Sequence, residues 1–333
     1  MIRRAILSLF AAASLALGAG AKVNYVPDLE GVIRGRWEIE TRGGWNRFAV
    51  RNARLSVAGK VAEPVSYYLR ADFCDMGKFK FLDGWVQLRP FRPFNIRVGQ
   101  FRMPCGVETF RGPTSYIFAN RSFIGGTLCN YRAVGARLAY TLPFHNLTLE
   151  GGVFNPGTIS DHTPWTRGKA YAAKATATIG DFKVSGSILS NIPDGVRMNF
   201  YDVALVYDCG RWHAEAEYMH QAYTGSAFKA CNSVNTFVDY GIPVDLGIFE
   251  TLSFQGRFDW MTDQSNGRCD DSGRLQCTSP AKRRITLGST ISYNEGPLFC
   301  DIRLNYEKYF YNDGVAIPEG KNDKIVAELI IRF

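Results

Sequence analysis

The chain has 333 residues, of which 46% are hydrophobic and 14% are aromatic, and its formal net charge at pH 7 is +8. A disordered chain carries fewer aromatic residues, and a protein built from membrane-spanning helices is far more apolar. Beyond the N-terminus, no stretch approaches the ~20 consecutive apolar residues that a spanning helix needs. The composition therefore excludes a disordered chain and a polytopic helical membrane protein.

The N-terminus has the features of a cleavable secretory signal. Two arginines near the start are followed by an apolar run that ends at Ala16. The small residues of Ala19-x-Ala21 then form the predicted cleavage site. An N-terminal anchor helix is the alternative, but the run is short and finishes in small residues. We predict a signal peptide over residues 1–21 and an exported domain over residues 22–333.

The rest of the chain alternates between apolar and polar residues. In the first segment Ile33 and Trp37 fall on one face, whereas Arg34 and Arg36 fall on the other. Strict alternation predicts a β-strand with one apolar and one polar face, and no long helical stripe interrupts the series. We predict about sixteen strands, over residues 30–42, 48–61, 65–74, 80–89, 94–102, 131–141, 146–155, 169–180, 181–190, 197–208, 211–222, 234–241, 246–261, 283–293, 297–310 and 324–333.

Short turns and long connections alternate between these strands. The short turns lie at residues 62–64, 90–93, 141–145, 180–181, 208–210, 242–243 and 294–296. The long connections lie at residues 103–130, 155–168, 222–233, 263–282 and 311–323. This alternation is typical of an antiparallel up-and-down barrel in an outer membrane, where closure leaves no strand edge in lipid. We predict one all-β transmembrane barrel domain; a soluble β-sandwich or solenoid is the alternative.

The last predicted strand ends on an aromatic residue, Phe333. A terminal aromatic residue on an alternating strand resembles the signal that the bacterial barrel-assembly machinery reads. Phe333 is therefore the predicted assembly signal. The expected location is the bacterial outer membrane, with its lipid and the assembly machinery as partners.

Several motifs lie in the second to sixth segments: RNARL at residues 51–55, YLRADF at 68–73, LDGWV at 82–86, IRVGQFRMPCG at 96–106 and FANRS at 118–122. Together they resemble the phosphate-selective porin O and P family. The resemblance implies a sixteen-stranded, usually trimeric outer-membrane channel. It also implies a third loop, here residues 103–130, that folds inward and constricts the channel.

Basic residues recur on the predicted polar faces and in the third loop. A barrel of this size encloses an aqueous channel, and guanidinium groups offer planar, bidentate donors to phosphate. We predict passive diffusion of small hydrophilic solutes, with a preference for phosphate or other anionic or phosphorylated solutes. The predicted pore-lining and anion-binding residues are Arg34, Arg36, Arg54, Lys60, Arg70, Arg97, Arg102, Arg111, Arg121, Lys174, Arg257 and Arg303.

Other functions remain open at this stage. Acidic residues share the polar faces, so pairing of charges across the wall would give a weakly selective general porin. An outer-membrane enzyme is disfavoured because no serine accompanies His213 and Glu215, and an adhesin because a barrel of this strand number has a lumen. Scattered histidines and the lack of Cys-x-x-Cys predict no metal site. No cofactor or nucleic-acid partner is indicated.

Eight cysteines are an unusual number for such a channel. Cys105 and Cys129 bracket the third loop, and Cys269 and Cys277 lie in one outer loop. In an oxidising exported location each pair is a candidate for a disulfide bond, although sequence alone does not determine connectivity.

Overall fold

The computed structural model describes residues 25–75, 77–158, 165–312, 314–315 and 317–333. The predicted signal peptide lies outside the described residues. Among the described residues no helix has the length and apolar character needed to cross a membrane. The chain forms sixteen strands. They are β1 (Asp28–Glu40), β2 (Asn46–Ala62), β3 (Val65–Asp75), β4 (Lys78–Phe91), β5 (Phe94–Arg102), β6 (Arg132–Thr141), β7 (Thr148–Phe154), β8 (Ala170–Ile179), β9 (Phe182–Asp194), β10 (Val196–Cys209), β11 (Trp212–Tyr223), β12 (Cys231–Leu246), β13 (Phe249–Met261), β14 (Lys282–Glu295), β15 (Leu298–Tyr311) and β16 (Lys324–Arg332).

The strands form one closed antiparallel barrel in which each strand pairs with its sequence neighbours. Closure joins β1 to β16, and Val32 lies opposite Arg332 in the register of this pair. Gly31 and Phe333 exchange backbone hydrogen bonds of 2.7 and 3.0 Å at the end of the seam. The predicted all-β barrel is therefore confirmed, with no free edge to leave backbone polar groups unpaired.

The alternation in the sequence corresponds to the outer and the inner face of the barrel wall. On β1 the side chain of Ile33 is 45% exposed on the outer wall, whereas neighbouring Arg34 is only 2% exposed because it points into the filled lumen. The same exposure of large apolar side chains recurs around the barrel. The outer wall thus matches lipid, and the charged groups lie inside.

One predicted turn is wrong. The sequence places a turn at residues 242–243, but β12 continues through Pro243 to Leu246, and the chain reverses at Gly247 with a φ of +67°. The register between β12 and β13 shifts between Pro243 and Leu246, which marks a bulge or irregularity. A proline, having no N–H to donate, is tolerated at such a point.

An apolar cluster occupies part of the lumen beside β5 to β13. Its buried members include Phe101, Met103, Cys105, Phe123, Ile124, Leu128, Cys129, Phe154, Leu189, Met198, Phe200, Met219, Tyr223, Cys231, Met261 and Leu275. Barrels of this size otherwise hold a wide aqueous channel. Here apolar packing fills the part of the lumen next to these strands.

Candidate functional site

The segment between β5 and β6, residues 103–131, folds into the barrel and is called the inward loop below. Its centre reaches the opposite wall at Ala119. The Ala119 carbonyl accepts hydrogen bonds from Arg34 (2.8 Å) and Arg36 (2.9 Å), and its N–H donates to Asn305 (2.7 Å). These contacts with β1 and β15 hold the loop across the lumen. They also satisfy buried backbone groups that would otherwise lack partners.

A buried carboxylate pairs with both arginines that hold Ala119. Arg34 and Arg36 each lie 2.7 Å from one oxygen of Glu328, and Arg303 lies 3.3 Å from the other. The side chains of all four residues are 3% exposed or less. Glu328 and these three arginines form what we call the β16 clamp.

A second group holds the residues that follow Ala119. Arg257 donates to the Asn120 carbonyl (2.8 Å), and Arg284 donates to the Arg121 carbonyl (2.7 Å). Both guanidinium groups also pair with Asp259, at 2.9 and 2.7 Å. The positive charges of this group are thus largely compensated within the wall.

The first turn of the inward loop is attached to a third part of the wall. The Gly106 N–H donates to the Ser187 hydroxyl (3.0 Å) and the Val107 N–H donates to the Glu217 carboxylate (2.6 Å). The loop is therefore anchored to β9 and β11 as well as to β1 and β13–β15, and its position is defined at both ends.

Within the loop, Glu108 ties two turns together. Its carboxylate accepts hydrogen bonds from the Ser122 N–H at 2.9 and 3.0 Å and from the Ser122 hydroxyl. Burial by itself raises the pKa of the Glu108 carboxyl. The charges of Arg121 and Arg257, with the Ser122 hydrogen bonds, outweigh burial and hold that pKa below its usual value. The charged Glu108 carboxylate therefore fixes two turns of the inward loop against each other, and we call its contact with Ser122 the loop lock.

Gly125 leaves room for this lock, which gives a direct test. A Cβ atom at Gly125 would lie 2.2 Å from Oε2 of Glu108, whereas the nearest atom to a Cβ at Gly126 is 3.7 Å away. We expect Gly125→Ala to lower the free energy of unfolding by about 1–3 kcal/mol, as overpacking does, while Gly126→Ala leaves it nearly unchanged. Urea unfolding of the barrel in detergent measures both, and equal stabilities would contradict the assigned lock.

Beside the inward loop lies a cavity of about 600 Å³, the loop-side cavity, which opens toward the long connections. Among the described residues, eleven basic residues and a single carboxylate, that of Asp75, belong to its lining. The basic residues are Arg34, Arg51, Arg54, Lys80, Arg102, Arg121, Arg132, Lys282, Arg284, Lys321 and Lys324. Several are paired with acids behind the lining, such as Arg54 with Asp72 at 2.7 Å. The charged groups that line this cavity are nevertheless mostly basic.

A smaller cavity of about 180 Å³, the turn-side cavity, lies further toward the short turns. Its lining holds six arginines and one carboxylate, that of Asp83. The arginines are Arg70, Arg97, Arg102, Arg111, Arg132 and Arg137. Tyr68, Trp85, Phe101 and Phe110 complete much of the wall.

Arg102 and Arg132 line both cavities and so mark the passage between them. Arg132 pairs with Asp83 at 3.0 Å. Arg102 makes no ion pair among the described residues, and its Nη1 atom is buried without a hydrogen-bond partner. A buried guanidinium with unused donors is the strongest candidate for direct contact with an anion.

Tyr116 reports the electrostatic potential at this passage. Burial alone raises the pKa of its phenol, but the charges of Arg121 and Arg102, followed by those of Arg54 and Arg34, reverse the effect and lower that pKa. The arginines therefore stabilise a negative charge placed on Tyr116. A solute anion in the loop-side cavity experiences the same field.

Arg97 in the turn-side cavity is held by neutral partners. Its guanidinium lies 3.8 Å from the ring centroid of Trp85 and donates to the Gln87 amide oxygen at 2.8 and 3.1 Å. Tyr68 stacks on Trp85 with ring centroids 5.4 Å apart. An aromatic face and an amide orient the guanidinium without cancelling its charge, so that charge remains available to a solute.

The structure divides the predicted anion-binding residues into two groups. Seven of the twelve line a cavity: Arg34, Arg54, Arg102 and Arg121 the loop-side cavity, and Arg70, Arg97, Arg102 and Arg111 the turn-side cavity. Five line neither: Arg36, Lys60, Lys174, Arg257 and Arg303.

The five that line neither cavity have other structural roles. Arg36, Arg257 and Arg303 are buried in ion pairs that hold the inward loop. Lys174 donates to the Gly106 carbonyl, and Lys60 lies half-exposed 3.4 Å from a glutamate at the edge of the barrel. Alternation places each of these side chains correctly on the polar face, but it does not reveal what occupies the lumen beside them.

Sequence reasoning missed several lining residues, namely Arg51, Lys80, Arg132, Arg137, Lys282, Arg284, Lys321 and Lys324. Two of them carry a usable signal. Arg137 and Arg284 are followed by Leu138 and Ile285, which are 52% and 43% exposed on the outer wall, so period-two alternation assigns both arginines to the lumen. Lys321 lies in the connection between β15 and β16, where no strand periodicity gives such a signal.

All eight cysteines are free thiols in the structure. Cys105 and Cys129 are buried side by side at the base of the inward loop. Cys269 instead hydrogen-bonds through its N–H and thiol to Asp194 at the end of β9, at 3.0 and 3.7 Å. The bridge between Cys269 and Cys277 stays a prediction. Within the described part of the chain, no group of three or more His, Cys, Asp or Glu residues is placed to hold a metal ion.

The closed barrel, inward loop and lumen define a class of protein, the outer-membrane porins. The family model described as "Phosphate-selective porin O and P" matches residues 39–202, which confirms the resemblance seen in the sequence. The chain is thus an outer-membrane channel of the porin type. None of the curated proteins gives a significant match to the sequence.

Solved structures of porins have the same fold. The anion-selective porin from Comamonas acidovorans is 14% identical with a TM-score of 0.60, covering 92% of this chain and 98% of that one. The outer membrane channel DcaP of Acinetobacter baumannii is 14% identical with a TM-score of 0.62, covering 95% and 99%. The trimer form of OmpT of Vibrio cholerae is 11% identical with a TM-score of 0.57, covering 92% and 98%.

Proposed function

We propose that this porin is an anion-preferring channel for phosphate and other small anionic or phosphorylated solutes. One observation carries the proposal: the loop-side and turn-side cavities meet at Arg102, and among the described residues that line them the cationic groups are many and the carboxylates are those of Asp75 and Asp83. The match to a family described as phosphate-selective and the fold shared with an anion-selective porin support it.

The arrangement favours passage rather than tight capture. The arginines are spread along both cavities instead of converging on one point, and many sites of moderate strength allow an anion to enter and leave. The ion pair between Arg132 and Asp83 reduces the positive potential near Arg132. Arg97 and Arg102 have no such acidic partner among the described residues, so the potential near them is reduced less. Screening by salt acts over about 8 Å near physiological ionic strength, so selectivity is expected to be strongest in dilute solution.

Reversal potentials across planar bilayers test this proposal. In a KCl gradient we expect a potential whose sign reports chloride as the more permeant ion, and we expect phosphate to permeate or to reduce the chloride current. A potential near zero without a phosphate effect would favour the second candidate, a weakly selective general porin. The extensive ion pairing within the wall is the observation that favours that candidate.

Export and assembly complete the proposal. The signal peptide over residues 1–21 would direct export and leave a domain of residues 22–333, with Phe333 read by the barrel-assembly machinery. Phe333 is 59% exposed at the β1–β16 seam, which suits recognition before closure. A homotrimer in outer-membrane lipid is the proposed assembly, supported by the trimer form of OmpT. The family and fold favour a channel over an enzyme or an adhesin.

A further inference from the structure

We propose that Cys105 and Cys129 are joined by a disulfide bond in the mature channel, and that this bond closes the base of the inward loop. The bond lies at the end of the loop that emerges from the strands, away from the β16 clamp that holds its centre. The inference goes beyond the proposed function and does not depend on which solute permeates.

Strand register places the two cysteines opposite each other. The antiparallel pairing of β5 with β6 continues beyond the strands, because the Met103 N–H donates to the Tyr131 carbonyl at 3.1 Å. Extended by two residues beyond Met103 and Tyr131, this register sets Cys105 opposite Cys129. Residues that face each other across an antiparallel pair lie at the separation that a disulfide bond needs.

The side chains are in contact as well as in register. Cys105 is 0% exposed and Cys129 is 2% exposed, and their thiols are hydrogen-bond partners. The sulfur of Cys129 also lies 3.8 Å from the Cys105 carbonyl oxygen. Both pack within the apolar cluster of the lumen, and the Ser187 hydroxyl lies 3.4 Å from the Cys105 sulfur.

Formation of the disulfide bond requires an oxidant, and it has to occur before the barrel closes. The two thiols together lose two protons and two electrons and form one disulfide bond. A dithiol–disulfide oxidase of the oxidising exported compartment takes up both, and its own disulfide is reduced to two thiols. Both sulfurs are inaccessible in the closed barrel, so oxidation precedes closure. The finished bond is then protected from reductants for the same reason.

Mass mapping of the wild-type channel decides the proposal. The full-length protein is extracted from outer membranes without reductant, unfolded in urea with a maleimide and digested. We expect one linked peptide pair that contains Cys105 and Cys129 and lacks two hydrogen atoms, with maleimide attached to Cys300 as the internal control. Maleimide on both Cys105 and Cys129 would overturn the proposal.

A channel measurement reports what the bond does. The double variant Cys105→Ala, Cys129→Ala is expected to show greater open-channel current noise than wild type, because the base of the inward loop is no longer closed covalently, whereas Cys300→Ala is expected to behave as wild type. Noise equal to wild type in a variant that folds would contradict the mechanical role. If the double variant does not fold, the wild-type peptide map still decides whether the bond exists.

Discussion

Replacing Arg102 by alanine is expected to lower the permeability ratio of anions to cations by about fivefold. The guanidinium lies at the passage shared by both cavities, and no described carboxylate forms an ion pair with it, so its charge is offset less than that of Arg132. One charge a few ångströms from a permeating ion contributes about 1 kcal/mol even at the dielectric constant of water. Reversal potentials in a salt gradient measure the change.

Two variants control this experiment. Arg102→Lys keeps the charge and is expected to retain most of the selectivity, although it loses planar, bidentate contact with phosphate. Lys60→Ala removes the same charge from a half-exposed position outside both cavities and is expected to leave the ratio unchanged. If Lys60→Ala and Arg102→Ala shift the ratio equally, net charge rather than the passage sets selectivity, and the assignment of Arg102 fails.

Replacing Glu328 by alanine is expected to have the largest effect on stability. The variant removes the one described carboxylate that pairs with Arg34, whereas Arg36 keeps Glu38 and Arg303 keeps Asp301 as partners. Removing one partner from a buried ionic group costs about 3–5 kcal/mol. We expect a loss of that size in the free energy of unfolding, measured with urea in detergent.

The same variant also tests how the inward loop is held. Without Glu328, Arg34 and Arg36 are no longer held in position to donate to the Ala119 carbonyl. We therefore expect larger fluctuations of the single-channel current. Glu63→Ala is the matched control, because Glu63 pairs with Lys60 at 3.4 Å and both side chains are about half exposed. Such surface pairs contribute about 0–1 kcal/mol. Wild-type stability and current noise in Glu328→Ala would show that the clamp does not hold the loop.

The β16 clamp and the turn-side cavity use arginine for opposite purposes. Arg303 is buried against Asp301 and Glu328, so its charge is cancelled within the wall. Arg97 is held by an indole ring and an amide, and its charge is retained. The partners therefore decide whether an arginine fixes the loop or attracts a solute.

Part of this distinction was accessible from the sequence. Alternation assigns Arg34, Arg97, Arg257 and Arg303 to the polar face, and all four do point into the barrel. The same rule reaches Arg137 and Arg284, whose neighbours Leu138 and Ile285 are exposed to the outside. It fails at the inward loop, where residues 103–131 have no strand periodicity and their positions depend on the walls they contact.

The sequence by itself determined the barrel, its strand count and which side chains face the lumen, because side chains on a strand alternate strictly between its two faces and a membrane requires every strand edge to be paired. Only the tertiary structure decided which of the inward arginines can meet a solute. That depends on residues far apart in the chain, such as Arg34, Ala119 and Glu328, which meet because the loop crosses the lumen. A guanidinium is available to an anion only where no carboxylate from another strand has already neutralised it, and such partners are fixed by three-dimensional proximity rather than by local pattern.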